Sequence, residues 1–162
     1  QPTLVRGNIS EIRTLAVGTG TTSGVDANAA DAVTEANLAA SADFLRAFAA
    51  RTGAIIAVTG AIDLVTDGSS CYVVRNGRAE MGRVTGTGCQ LSALLAAALA
   101  AAPDEPLAAV VETVALMGVA GELAWARMGE HDGNAVYRTR IIDSIYCMAD
   151  EELSAHSRIK KL

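Results

Sequence analysis

"RVTGTGCQLSALLAAALA", residues 83–100, decides how the chain is read. Glycine alternates with threonine, a cysteine follows, and a run of leucine and alanine opens behind it. This is the pattern of a tight turn feeding a buried helix. Glycines let a backbone turn sharply and approach a ligand closely. The helix behind them presents unpaired N–H groups and the positive end of its dipole. Together they form an anion hole at Thr87 and Gly88, suited to a phosphate or to charge developing on a transferred phosphoryl group. A helix amino end also favours the thiolate of Cys89, which is then placed to accept a proton from a substrate alcohol or to orient it. The same residues also read as small groups packing where a helix meets a sheet, with Cys89 an inert hydrophobe. No Lys-Ser/Thr pair follows the glycines, so this is not a Walker A loop. It also lacks GxGxxG and the trailing acid of a dinucleotide fingerprint.

Working outward, "TLVRGN" is a short extended run, and Asn8 or Ser10 can cap the helix "ISEIRTLA" behind it. A Gly/Thr/Asn-rich loop over 17–31 precedes an amphipathic helix expected over 32–51. "AIIAVTG" is a continuous apolar run, as expected of a strand covered on both faces. Asp67-Gly68 and Asn76-Gly77 are strong hairpin signals. They divide 62–84 into three short strands of an antiparallel meander. Helices are expected over 89–102, 107–128 and 135–151, the middle one apolar on most faces and therefore interior. The tail "SAHSRIKKL" reads as a polar, basic, solvated end.

The chain has 162 residues, 51% hydrophobic, 19% charged and only 4% aromatic. That supports a core of Ala, Val, Leu and Ile, in the manner of Ala-rich helices on a Val/Ile sheet. A net charge of -5 gives no general attraction for nucleic acid or an anionic membrane. Cys71, Cys89 and Cys147 lie far apart without CxxC spacing, and His131 and His156 have no ligand-like neighbours, which argues against a disulfide framework or a zinc site. No signal peptide is seen, and a reduced cytoplasmic setting is expected.

Two further constellations carry possible chemistry. Arg6 stands at a strand end, where open α/β sheets collect ligands, and its guanidinium suits phosphate oxygens. Glu11, one helical turn on, suits a water of a magnesium ion. A surface ion pair and an ordinary first-turn acid explain the two equally well. Thr59, after the apolar strand, can reach a nucleotide or simply make a turn. Asp63 and Asp67 read as turn residues.

Taken together, "TLVRGNISEI", "VTGAIDLVTDG" and "NGRAEMGRVTGTGCQLSALLAA", with "GVD" at 24–26, resemble the hydroxyethylthiazole kinase family of the ribokinase-like superfamily. The Gly-Thr-Gly-Cys element is the most specific part, since most of the superfamily carries Asp where this chain has Cys89. The resemblance implies an α/β fold with a mainly parallel sheet flanked by helices and the meander at 62–84. It implies one kinase domain over 1–162, with the family's N-terminal strands outside this chain and an incomplete sheet as a result. The implied activity is ATP- and Mg²⁺-dependent phosphorylation of 4-methyl-5-(2-hydroxyethyl)thiazole in thiamine biosynthesis or salvage. Arg6 and Thr59 match ATP-binding positions, Gly86 a substrate-contacting glycine, Cys89 the residue at the reacting hydroxyl and Glu11 an acid near metal and phosphates. A homotrimer is implied as well. Gly133-Asn134-Ala135 departs from the family's Gly-Pro-Gly. The alternatives are another ribokinase-like enzyme (a hydroxymethylpyrimidine kinase or an ATP-dependent NAD(P)H-hydrate dehydratase), a non-catalytic nucleotide- or thiazole-binding module, or a cysteine hydrolase.

Overall fold

In the computed structural model, residues 2–18 and 32–162 are described. The expected loop tip and the "GVD" match at 24–26 lie outside them. The chain forms two compact units, Gln1–Val73 with Lys160–Leu162, and Val74–Ile159.

The first unit is built on strands β1 (Leu4–Gly7), β2 (Ile55–Val58), β3 (Asp63–Thr66) and β4 (Cys71–Val74), with helices α1 (Ile9–Val17) and α2 (Leu38–Thr52). The five-stranded sheet runs in the order β1-β2-β3-β4-β5, β5 being Ile159–Lys161. β1 and β2 are parallel, with Arg6 opposite Ala57 and Gly7 opposite Val58. β2 and β3 are antiparallel, with Val58 opposite Leu64. The α/β class is as expected, and the sheet is mixed. All four residues of β2 are buried, which explains why "IIAV" shows no alternation. Ile56, Val58, Leu64 and Val73 pack with Ile12, Leu45, Phe48 and Ala49 of the two helices in one apolar core.

α2 begins at Leu38, later than the expected start near 32. Asn37 accounts for the delay. Its side chain accepts from the Thr34 N–H at 2.8 Å and donates to the Ala32 carbonyl at 2.9 Å, holding the preceding residues in turns. At the Asp67-Gly68 hairpin the Asp67 carboxylate accepts from the N–H groups of Ser69 and Ser70, at 2.8 and 2.7 Å. The turn role read from the sequence is the one seen.

The meander stops after two strands. Residues expected to form its third strand are a 3-10 helix, Ala79–Arg83. The Asn76-Gly77 signal was answered by distant partners instead. Asn76 donates to the His156 carbonyl at 2.9 Å and accepts from the Arg158 N–H at 2.7 Å. The tail is a second correction. It is not a free solvated end, because Leu162 N–H donates to the Cys71 carbonyl at 2.9 Å and Arg75 N–H to the Arg158 carbonyl at 3.0 Å. β5 is exposed along its length and carries two lysines beside Ile159, so only its partner strand makes it a strand.

The second unit is helical. α3 (Thr87–Ala101), α4 (Pro106–Ala126), α5 (Asn134–Cys147) and α6 (Asp150–His156) follow one another. The single helix expected over 135–151 is therefore two, interrupted at Met148, which is extended. α4 packs against α3, α5 and α6. It is long and apolar enough to cross a membrane, yet Val110, Val111, Val114, Met117, Val119 and Ala124 are buried within the protein. Gly118 permits a close approach to backbone, since a Cβ there would lie 2.5 to 2.9 Å from the Cβ, carbonyl carbon and oxygen of Asn76. Tyr137 is buried on α5, donates to the Gly121 carbonyl at 2.9 Å and meets Trp125 edge-on. Tyr137 is a core residue and Trp125 is half-buried beside it.

Candidate active site

In the first unit the parallel pairing of β1 with β2 sets the geometry. Extending it by one residue, the Thr59 N–H donates to the Gly7 carbonyl at 3.0 Å. Thr59 and Arg6 are thereby brought side by side, and Arg6 Nη2 donates to Thr59 Oγ1 at 2.9 Å. The structure thus joins two residues 53 positions apart that the sequence singled out separately. Arg6 Nε is buried and makes no hydrogen bond among the described residues. An arginine donor kept from water without a partner is costly and suits an anionic ligand.

Asn8 caps α1 by accepting from the Glu11 N–H at 2.9 Å, and Glu11 Oε2 accepts from the Asn8 N–H at 2.7 Å. This is a reciprocal capping box. Glu11 is exposed, and the box fixes one carboxylate oxygen. No group of three or more His, Cys, Asp or Glu side chains converges among the described residues. A lone carboxylate fits a magnesium ion that keeps most of its waters and does not fit a fully protein-ligated metal.

Asp63 was read as a turn residue only, and its surroundings were missed. It is buried at the start of β3, and its Oδ1 accepts from the Gly60 N–H at 2.8 Å. Burial pushes its carboxyl up to about 7, against the pull of the Gly60 hydrogen bond and the Arg6 charge. The signal in the sequence was an acid set inside "AIDLV", where a neutral residue would suit a strand better.

In the second unit, Gly86 precedes α3 with φ 98° and ψ 0°, a left-handed backbone that L side chains rarely adopt. No side chain caps this helix end. The Thr87 N–H donates backward to the Val84 carbonyl at 3.5 Å, and the first-turn N–H groups of Gly88 and Cys89 have no partner within the helix. Cys89 carries an exposed free thiol, so the inert-core reading does not hold for it. Gln90, next in the same turn, has a buried Oε1 without a partner among the described residues. Beyond the 3-10 helix, Asn134 starts α5 and its side chain donates to the Arg83 carbonyl at 3.1 Å.

Comparison with known proteins decides what these features belong to. The model of the hydroxyethylthiazole kinase family matches residues 1–151. The chain belongs to this family. It is 47% identical to a hydroxyethylthiazole kinase of Clostridium acetobutylicum over 96% of its own length and 57% of the relative's. It is 34% identical to hydroxyethylthiazole kinase 2 of Methanosphaera stadtmanae over 98% of its length and 58% of the relative's. A solved structure of the hydroxyethylthiazole kinase protein of Pyrococcus horikoshii OT3 superimposes with a TM-score of 0.78 at 26% identity, covering 98% of this chain and 54% of the other. The chain thus spans just over half the length of the relatives it matches.

Proposed function

We propose that the protein carrying this chain transfers the γ-phosphoryl group of ATP to the hydroxyl of 4-methyl-5-(2-hydroxyethyl)thiazole, in thiamine biosynthesis or salvage. The observation that carries the reading is the family match, which includes the Gly86–Cys89 turn at the amino end of α3. The hydroxyl oxygen attacks the γ-phosphorus, the bond to the β-phosphate oxygen breaks, and ADP leaves. Such transfers need positioning and charge neutralisation more than covalent chemistry.

In this reading Arg6 and Thr59 hold phosphate oxygens of ATP. The buried Nε of Arg6, without a partner among the described residues, supports that role. Gly86 contacts the thiazole alcohol, and the Thr87 and Gly88 N–H groups take up the charge of the transferred group. The Cys89 thiol accepts or orients the hydroxyl proton, and its exposure supports access. Glu11 would hold a water of Mg²⁺, and the ion would supply neutralisation of phosphate charge. The same proposal takes 1–162 as part of one kinase domain, assembled as a homotrimer in the reduced cytoplasm.

The test is ATP-dependent phosphorylation by the purified protein, with its intact mass and its mass in solution measured on the same sample. Turnover of hydroxyethylthiazole in preference to hydroxymethylpyrimidine supports the proposal. Preference for the pyrimidine alcohol, or no transfer to either, overturns it. A solution mass other than three chains removes the trimer.

A further inference from the structure

We propose that Asp63 is a positioning residue for the nucleotide, holding the Thr59–Gly60 turn so that Thr59 fixes the Arg6 guanidinium for phosphate. The inference rests on the nucleotide role given above to Arg6 and Thr59. Asp63 Oδ1 accepts from the Gly60 N–H at 2.8 Å, and Gly60 directly follows Thr59. Thr59 is held on its other side by its N–H bond to Gly7, and its hydroxyl accepts from Arg6 Nη2 at 2.9 Å. One short chain of hydrogen bonds therefore runs from the first residue of β3 to the guanidinium at the end of β1. With Nη2 engaged this way, Nε remains a buried donor without a partner among the described residues.

Turn-holding alone does not explain a carboxylate here. Asp67 performs that task from an exposed position. Asp63 performs it buried beside Leu64 and Val65, where an acid is costly. What the buried acid adds is a fixed acceptor for the Gly60 N–H, held in place by the packing around it.

The test compares parent, Asp63→Ala and Asp63→Asn proteins by steady-state kinetics and by calorimetric titration with ATP. Loss of the acceptor in Asp63→Ala is expected to raise the KM and Kd for ATP roughly tenfold, the scale of one charge-assisted hydrogen bond. The KM for the thiazole alcohol stays within about twofold. Asp63→Asn retains an acceptor for Gly60 and is expected to restore ATP binding to within about threefold. Should Asp63→Ala fail to fold, Asp63→Ser, whose hydroxyl is too short to reach Gly60, carries the same expectation. An unchanged ATP constant overturns the inference, as does a parallel loss for both substrates, which marks simple damage to the fold. If the parent binds ATP without phosphorylating the alcohol, the proposed activity fails, and the ATP Kd of the variants still judges Asp63. If the parent turns over the alcohol and Asp63→Ala matches it, only the role of Asp63 fails.

Discussion

Asparagine at position 63 isolates what the buried carboxylate costs the fold. Burial pushes the Asp63 carboxyl from the ordinary 3.8 up to about 7. Between those values the folded protein holds a proton that the unfolded chain has released, so stability falls as pH rises. The penalty is absent below the ordinary value, grows through the window and is complete above about 7. Each pH unit within the window removes about 1.4 kcal/mol, which makes the whole penalty about 4 kcal/mol. Asparagine does not titrate, and any fixed cost of burying its amide is the same at every pH. The stability of Asp63→Asn relative to the parent is therefore expected to rise by about 3 kcal/mol between pH 5 and pH 8. Urea unfolding of both proteins at the two pH values measures this through the midpoints, provided the slopes agree. Parallel stability curves for the two proteins would refute the burial argument, and so would a relative gain for the parent at the higher pH.

Other consequences are as direct. Cys89→Ala is expected to lower kcat by ~10²-fold if the thiol assists proton transfer, whereas Cys89→Asp preserves or raises it; stopped-time product assays in which both variants match the parent would leave the thiol no part in the chemistry. Arg6→Ala should raise the KM for ATP at least about tenfold with a smaller effect on the alcohol, and an unchanged ATP KM would remove Arg6 from the nucleotide site. Gly118→Ala should cost about 2–3 kcal/mol in urea unfolding, because the new methyl meets Asn76 backbone that cannot swing aside; a variant as stable as the parent would show that α4 can shift away from Asn76.

Local chemistry explains what was legible in the sequence. The apolar run of β2, the Asn8 cap and the Asp67 turn each declare themselves within a few residues, and each is seen. The Gly86 turn and the helix behind it are equally local. What escaped depends on partners far along the chain. Asn76 looked like a hairpin residue until Arg158 and His156, about 80 positions on, claimed its side chain. β5 has no strand pattern of its own and becomes one only beside β4. The bond between Arg6 and Thr59 depends on β1 lying parallel to β2, which neither segment states alone. The burial of Asp63 is likewise a product of packing, and composition can only hint at it.

β5 also dictates an order of events. The first unit takes its last three residues, Lys160–Leu162, from beyond the whole of the second unit, Val74–Ile159. On a ribosome, β1 to β4 emerge before the second unit, while the strand that closes on β4 is made only after four further helices. Until then the outer edge of β4 presents open N–H and C=O groups, the kind of template that recruits strands from other chains. Closing a loop of that length is slow compared with forming the helices inside it. The nascent sheet must therefore keep that edge open while the whole second unit is made, and the two lysines of β5 give the edge beside β4 a charge that discourages further pairing.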